Sequence, residues 1–146
     1  MNLTPDLLPF DLLPAADWAK RLSLTHDVQR IARNGAPYLD RYFVSGYPRV
    51  VGAQASLYLH HFHASDASDQ VHSHPWRWSM SLILSGGYRE QRCLPDGQRV
   101  VREYRPGDLN VLRADDRHRI DLLGPDCWTL FLAGPYEKPW DFQPVC

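Results

Sequence analysis

Two histidines, His72 and His74, are separated by one residue and precede an apolar segment that ends in a double glycine at 86–87. On a β-strand, residues i and i+2 point to the same face, so the two imidazoles can converge on one point. Neutral imidazole is the commonest protein ligand for transition metals. A third histidine, His118, follows the turn 106–108 and could close the set. The spacing of His72 and His74 therefore predicts a metal site, with His118 as a candidate third ligand.

The segments that must position these histidines have a β pattern. After residue 36, short runs rich in β-branched and aromatic residues alternate with turns of Gly, Pro, Asp and Ser. Regularly punctuated short strands favour a sandwich or barrel over alternating βαβ units, and eight of them suit a jelly roll. We predict strands at Tyr38–Val44, Ala53–His63, Arg77–Leu84, Tyr88–Cys93, Arg99–Tyr104, Asp108–Leu112, His118–Leu123 and Cys127–Ala133.

The N-terminal part has a different pattern. Residues 1–14 contain three prolines and predict an irregular arm. From Ala15 to Asn34, apolar residues recur near helical spacing, and Gly35 supplies a stop signal, so we predict one helix broken near Thr25 or two short helices. No internal repeat or linker divides the chain. We therefore predict a single domain over 1–146, with an irregular and helical N-terminal extension (1–36), a β-barrel (37–135) and a C-terminal tail (136–146).

Composition restricts the classes of function. The chain has 146 residues, 44% hydrophobic content and a net charge of −1, which is typical of one globular domain and offers no basic stripe for nucleic acid. No apolar segment reaches the roughly 18–20 residues of a membrane span. The three cysteines (Cys93, Cys127 and Cys146) are odd in number and lack a CxxC spacing, which predicts neither a disulfide framework nor a cysteine zinc site. With no signal-peptide pattern, we expect a cytoplasmic protein.

The histidines and glycines resemble the two motifs of the cupins. In the first motif an HxH pair is followed by an acid and then by a glycine; His72, His74 and Gly86 match it. In the second motif a glycine precedes a histidine by ten intervening residues, as Gly107 precedes His118. The resemblance covers about residues 50–135. It implies an all-β cupin double-stranded β-helix, or jelly roll, with the three histidines in its mouth.

The chain departs from the cupin pattern at the acid. Most metal cupins place Glu at the position that Ser79 occupies, seven residues before Gly86. A site of three histidines is similar to that of the cysteine dioxygenase-like thiol dioxygenases, and the resemblance implies ferrous iron. Open coordination positions distinguish a catalytic metal from a structural one. The resemblance also leaves open a metal-free pocket with a histidine base.

A further resemblance is to small cupins that share three short segments. This chain has His72-Ser-His-Pro-Trp76, Leu82-Ile-Leu-Ser-Gly-Gly-Tyr88 and Trp128-Thr-Leu-Phe-Leu-Ala-Gly-Pro135. These segments support the fold and imply no substrate.

Five further residues are candidates for the pocket. His60 is the preferred one of three histidines in its strand, as a base or fourth ligand, and Tyr88 offers a hydroxyl. Ser79 is favoured over Trp78 at the place of the missing Glu, because its distance to Gly86 fits; Trp78 there would give an aromatic mouth. Arg113, on the strand leading to His118, is the first choice for an anion clamp. We assign catalytic roles to His60 and Tyr88, and substrate-binding roles to Trp78, Ser79 and Arg113.

Three functions remain open at this point. The first is a metal-dependent cupin oxygenase with non-haem Fe(II), acting on a small anionic molecule; Zn, Ni or Mn could also occupy an imidazole site. The second is a cupin isomerase, epimerase or lyase that uses the metal as a Lewis acid or a histidine base. The third is a small-molecule-binding cupin without catalysis. We expect a homodimer, because one face of the strand after His74 is strongly apolar.

Overall fold

The computed structural model describes residues 15–45 and 55–146, in which one short helix is followed by eleven strands. The predicted arm at 1–14 lies outside the described residues, as do residues 53 and 54 of the strand predicted at Ala53–His63. The elements are α1 (Ala15–Ser23), β1 (Val28–Arg33), β2 (Ala36–Ser45), β3 (Ser56–Phe62), β4 (Gln70–Ser73), β5 (Trp78–Ser85), β6 (Tyr88–Cys93), β7 (Arg99–Tyr104), β8 (Leu109–Arg113), β9 (Arg117–Leu122), β10 (Cys127–Ala133) and β11 (Asp141–Pro144).

The strands form two antiparallel sheets. The six-stranded sheet has the order β1-β2-β3-β10-β5-β8, and the five-stranded sheet has the order β11-β4-β9-β6-β7. Ser79, Ser81 and Ile83 point inward from β5, as alternation requires when one face of a strand is buried. Helix α1 covers part of the outer face of the first sheet, where Ala19 packs with Leu59 and Trp128. The predicted all-β class with a short helical N-terminal extension is confirmed.

The second half of the predicted helical region is a strand. Residues 28–33 form β1, which pairs with β2 across a two-residue turn at Asn34 and Gly35. Both turn residues have positive φ, 51° and 78°, the conformation of the tight hairpin turn that Asn-Gly favours. The sequence interpretation took Gly35 as a helix stop, whereas the Asn-Gly pair is a hairpin signal. The helical region therefore ends at Ser23, and the barrel begins before residue 37.

The C-terminal segment contributes a strand rather than a free tail. β11 pairs with β4 in antiparallel register, so that Phe142 lies opposite His72. Neither β4 nor β11 was predicted, because each has only four residues and too short an alternation to recognise. The segment 136–146 thus forms one side of the region that contains the predicted metal ligands.

Two of the three cysteines form a disulfide. Cys93, at the end of β6, forms a disulfide with Cys146, after β11. No disulfide framework was expected, but one disulfide forms, because the folded C-terminal segment brings together two residues that are 53 apart in sequence. Cys127 is a buried free thiol in the core.

No helix in the described part of the chain is long and apolar enough to cross a membrane.

The double glycine after β5 is required by close backbone packing. Gly86 has a φ of +77°, and a Cβ there would lie 2.3 Å from the carbonyl oxygen of Asp126. Gly97, in the turn before β7, has a similar φ of +84° with nothing within 4 Å of such a Cβ. The two positions share backbone strain and differ in crowding, so Gly97 is a matched control.

We predict that Gly97→Ala lowers the free energy of unfolding by ~1–2 kcal/mol, the cost of a positive φ. Gly86→Ala should cost roughly 2 kcal/mol more, because the backbone of Asp126 must also shift. Urea unfolding of both variants measures the difference. Equal losses would show that crowding at Gly86 contributes nothing.

Candidate metal centre

Strand pairing brings the three predicted ligands together. His72 on β4 lies opposite His118 on β9, and His74 follows the end of β4. One ring nitrogen from each histidine lies within 4.8 Å of those of the other two. All three residues are buried, with 5–8% of their surface exposed. The structure therefore places His72, His74 and His118 in the arrangement that their spacing predicts.

Each of the three rings has a polar neighbour at its Nδ1 atom. Nδ1 of His118 is 2.6 Å from a carboxylate oxygen of Glu90. Nδ1 of His74 is 3.5 Å from the Ser79 hydroxyl oxygen, and Nδ1 of His72 is 3.8 Å from a carboxylate oxygen of Asp66. Such partners orient metal-binding imidazoles and fix their tautomers. Nε2 is then the nitrogen that each ring can offer to a metal.

Glu90 is a buried carboxylate with several donors around it. It accepts hydrogen bonds from the Nδ2 of Asn110 at 2.9 Å and from the guanidinium of Arg92 at 3.1 and 3.2 Å, besides its bond with His118. Burial acts to raise its pKa, but the bond with His118 and the other donors outweigh burial and lower the pKa to about 2. Glu90 is therefore ionised and places a negative charge directly behind His118.

Asp66 plays a similar part behind His72. It accepts a hydrogen bond from the Tyr38 hydroxyl and another from the backbone N–H of Ile120 at 2.8 Å, and it forms an ion pair with Arg33 at 3.1 Å. Burial acts to raise the pKa of Asp66, while His72 and the Tyr38 hydrogen bond lower it, and the net direction is downward. Two ligands thus have buried carboxylates behind them.

Two of the three imidazoles are neutral near neutral pH. Burial, together with the neighbouring His118, lowers the pKa of His72 to about 4. The pKa of His74 is lowered well below its usual value by burial and by the other two histidines. A neutral ring binds a metal without first losing a proton. Three buried imidazoles with anchored rings fit a divalent transition metal.

The histidines open onto a cavity of about 500 Å³ between the two sheets. Trp140 and Phe142 come from the C-terminal segment and lie 5.1–5.9 Å, between ring centroids, from the ligand histidines. The remaining walls are largely aromatic and aliphatic: Ile31, Leu39, Phe62, Trp76, Leu112, Ile120 and Phe131. The cavity has the size and apolar lining typical of small-molecule sites.

Arg41 is the main cationic group of the cavity that has no carboxylate partner. Its Nε donates to Nε2 of His60 at 3.1 Å, and its guanidinium lies 5.3 Å from the centre of the Tyr58 ring and 5.9 Å from that of Trp76. Among the described residues no carboxylate lies within ion-pair distance of Arg41, whereas Arg33 is paired with Asp66. A half-buried guanidinium without an acidic partner can bind an anion.

His60 lies in the cavity wall and outside the group of three ligand histidines. Its ring is stacked on Phe131, with centroids 4.7 Å apart. Because Nε2 accepts the bond from Arg41, the ring proton is on Nδ1, which has no partner among the described residues. Burial lowers the pKa of His60 well below its usual value. His60 is thus a neutral donor rather than a fourth ligand.

The other four candidates are divided between the cavity and the outside. Tyr88 lines the cavity, and its hydroxyl accepts a hydrogen bond from Asn110 at 3.0 Å. Ser79 lies behind His74 instead of on the cavity wall. Trp78 and Arg113 do not line the cavity.

Alternation explains these two departures. Ser79 points inward, so Trp78 points outward and packs over Gly134. On β8 the inward residues are Asn110 and Leu112, which leaves Arg113 exposed. The expected roles of Trp78 and Arg113 in substrate binding are therefore corrected, and the cavity wall contains Arg41 instead of Arg113.

Sequence reasoning missed Arg41 and Asp66 and did not connect Glu90 with His118. Arg41 lies opposite His60 in the register of β2 with β3, which alternation alone could not supply. Glu90 reaches His118 across the β6–β9 pairing. No local motif marks these residues, because each acts through a partner that is distant in sequence.

Comparison with known proteins shows the fold. No protein-family model matches the sequence, and no curated protein matches it. Solved structures do match. A structure of Fe(II)-HppE with an alternative substrate has a TM-score of 0.59 at 8% identity, over 74% of this chain and 55% of that one. KdgF from Halomonas sp. has a TM-score of 0.55 at 19% identity, over 77% of this chain and 91% of that one.

Oxalate decarboxylase from Bacillus subtilis has a TM-score of 0.58 at 16% identity over 77% of this chain. This chain spans less than a third of that decarboxylase and about half of HppE. These neighbours are cupins. The protein has the cupin jelly-roll fold. Its three-histidine group supports a metal-dependent cupin.

We predict that Glu90→Gln weakens binding of a divalent metal by about 10–100-fold, because the amide removes the negative charge behind His118. Competition with a chromogenic chelator measures the affinity. Glu103→Gln is the matched control, since Glu103 pairs with Arg89 and Arg105 at the surface. An unchanged affinity in Glu90→Gln would contradict the role of this carboxylate.

Proposed function

We propose that the protein is a metal-dependent cupin enzyme, a non-haem Fe(II) oxygenase that acts on a small anionic molecule. One observation carries the proposal: three buried histidines share a cavity with Arg41, a half-buried arginine that has no acidic partner among the described residues. The cavity thus combines a site for a metal with a site for an anion. The metal identity and the reaction class are parts of this proposal.

His72, His74 and His118 would hold the metal. Three protein ligands leave coordination positions free, which is the condition for a catalytic rather than structural metal. Bound Fe(II) supplies redox chemistry and sites for O₂ and substrate. Glu90 and Asp66 keep two of the rings oriented, and their negative charges favour a divalent cation over the metal-free state.

Arg41 would bind the anionic group of the substrate. Its guanidinium is held by His60 and by the faces of two aromatic rings, so little conformational entropy is lost when the anion binds. A carboxylate or phosphate that displaces water beside Arg41 would pair with the positive charge of the guanidinium. The anion then lies in the same cavity as the metal ligands.

His60 and Tyr88 line the same cavity, and we propose that they contact the substrate. His60 offers its unpaired Nδ1–H as a hydrogen-bond donor. The pKa of Tyr88 is raised by burial, so its phenol stays protonated. The aromatic walls, including Trp76 and Trp140, exclude water and strengthen these contacts.

A second candidate function is an isomerisation, epimerisation or lyase reaction in which the metal acts as a Lewis acid. The observation in its favour is the neutral His60 in the cavity wall, whose Nε2 lone pair could accept a proton in place of the hydrogen bond from Arg41. Binding of a small molecule without turnover is the third possible outcome of the experiment below.

We predict that wild-type protein loaded anaerobically with one equivalent of Fe(II) binds nitric oxide, a stand-in for O₂, and gives the electron paramagnetic resonance signal of high-spin ferrous nitrosyl. His118→Ala should lose the signal. His26→Ala, at a histidine outside the cavity, should keep it. Absence of the signal in iron-loaded wild type would contradict an oxygenase site.

Consumption of O₂ separates the candidate reactions. Iron-loaded protein offered a panel of small carboxylates, thiols and phosphonates should consume O₂ with at least one of them. Product without O₂ consumption would favour the Lewis-acid reaction, and tight binding without product would favour a binding protein.

Two expectations about the environment of the protein remain proposals. We propose a homodimer, supported by exposed apolar residues on the edge strands β7 and β8, among them Val101 and Val111; light scattering would show a monomer if this is wrong.

We also propose a cytoplasmic location, where disulfides are uncommon and the Cys93–Cys146 pair should be reduced. After rapid acid quenching of cells, three free thiols per chain would support this location, and one free thiol per chain would contradict it.

A further inference from the structure

A second group of metal-ligating side chains lies outside the cavity. His61 on β3, His63 directly after it, Asp40 on β2 and Asp126 just before β10 form this group, which we call the outer cluster. One donor atom from each of Asp40, His61 and His63 lies within 4.8 Å of the other two. Nε2 of His61 is 2.7 Å from a carboxylate oxygen of Asp126, and Nε2 of His63 is 3.0 Å from one of Asp40.

The register of the first sheet builds the outer cluster. His60 points into the cavity, so its neighbour His61 points to the outer face. Asp40 lies directly opposite His61 in the β2–β3 pairing. The β3–β10 pairing places Cys127 opposite Phe62 and thereby brings Asp126 to the same end of β3. Three segments that are distant in sequence meet at this place.

The His61 ring is held in a fixed direction. It is stacked on the indole of Trp128, with centroids 3.8 Å apart and planes 9° from parallel. Trp128 belongs to the apolar cluster beneath α1. The ring of His63 lies 4.2 Å from that of His61. Because the two rings are already adjacent, only a small rearrangement is needed to turn both Nε2 atoms toward one metal ion.

The outer cluster has an excess of negative charge. Burial lowers the pKa of His61 and so favours its neutral form. The two aspartates are paired only with these histidines among the described ion pairs. Arg30 lies opposite Asp40 in the β1–β2 register but makes no ion pair with it. A divalent cation would balance the charge of the two carboxylates.

The cluster is also open to solvent on one side. The His61 and Asp40 side chains are 17% and 16% exposed, whereas those of His63 and Asp126 are 29% and 43% exposed. A cation can therefore enter without a conformational change of the barrel. Two imidazole nitrogens and two carboxylate oxygens form a four-ligand set of the kind that zinc accepts.

We propose that His61, His63, Asp40 and Asp126 form a second metal site, on the outer face of the barrel, that binds a divalent transition metal of the zinc class. On metal binding, each ring proton resides on Nδ1, and Nε2 and the carboxylates become ligands. The metal then joins β2, β3 and the start of β10 on the face opposite His60. This site is structural, because all four positions are filled by protein.

The test uses a variant in which the cavity site is removed. His72→Ala/His118→Ala protein is dialysed against zinc, and bound zinc is measured by mass spectrometry. We expect about one zinc per chain and a higher midpoint of thermal unfolding with zinc than without it. Addition of His63→Gln or Asp126→Asn should weaken zinc binding at least ten-fold, while addition of His26→Gln should leave it unchanged.

Two results would overturn the proposal: no zinc in the cavity-site variant that retains its far-ultraviolet circular dichroism, or zinc that is bound equally with and without His63 and Asp126. If the cavity-site variant fails to fold, zinc content is measured in protein that retains the cavity histidines. There, His63→Gln should lower the zinc content from two to one per chain. The two sites share no ligand, so failure here leaves the proposed function unaffected.

Discussion

The hydrogen bond between His118 and Glu90 is the interaction on which the candidate site depends. It crosses from β9 to β6 inside the barrel, at 2.6 Å, and it involves a carboxylate that is buried and ionised. A buried charge of this kind is costly unless it is fully hydrogen-bonded. Arg92 and Asn110 supply the remaining partners. The network therefore fixes one ligand ring and places negative charge where a cation would bind.

In most metal cupins the first motif supplies a glutamate ligand, which this chain lacks. Ser79 stands at that position and faces His74, so the group of three consists of imidazole nitrogens alone. The negative charge lies behind the rings of His118 and His72, on Glu90 and Asp66. The positive charge of Arg41 lies in the wall of the same cavity and is paired with no acid among the described residues. The cavity thus combines ligands for a metal with a cationic group for an anionic substrate.

Much of the fold followed from pattern, while the partners within the site did not. Alternation and turn residues predicted β6, β7 and β10 within their observed bounds, and spacing predicted the three histidines. β1 was taken for helix because Asn34-Gly35 was not interpreted as a hairpin turn. Arg41, Glu90 and the disulfide of Cys93 depend on strand register and on the return of the C-terminal segment. Both are long-range properties that local pattern does not contain.

The proposed function requires that the three buried histidines hold a single metal ion. Its most direct test is the metal content of protein purified without chelator, compared between wild type and the single variants His72→Ala and His118→Ala. The content should fall by about one ion per chain in each variant and stay unchanged in His26→Ala. Full occupancy after loss of either ligand, or a wild type that binds no metal at this site, would contradict the account.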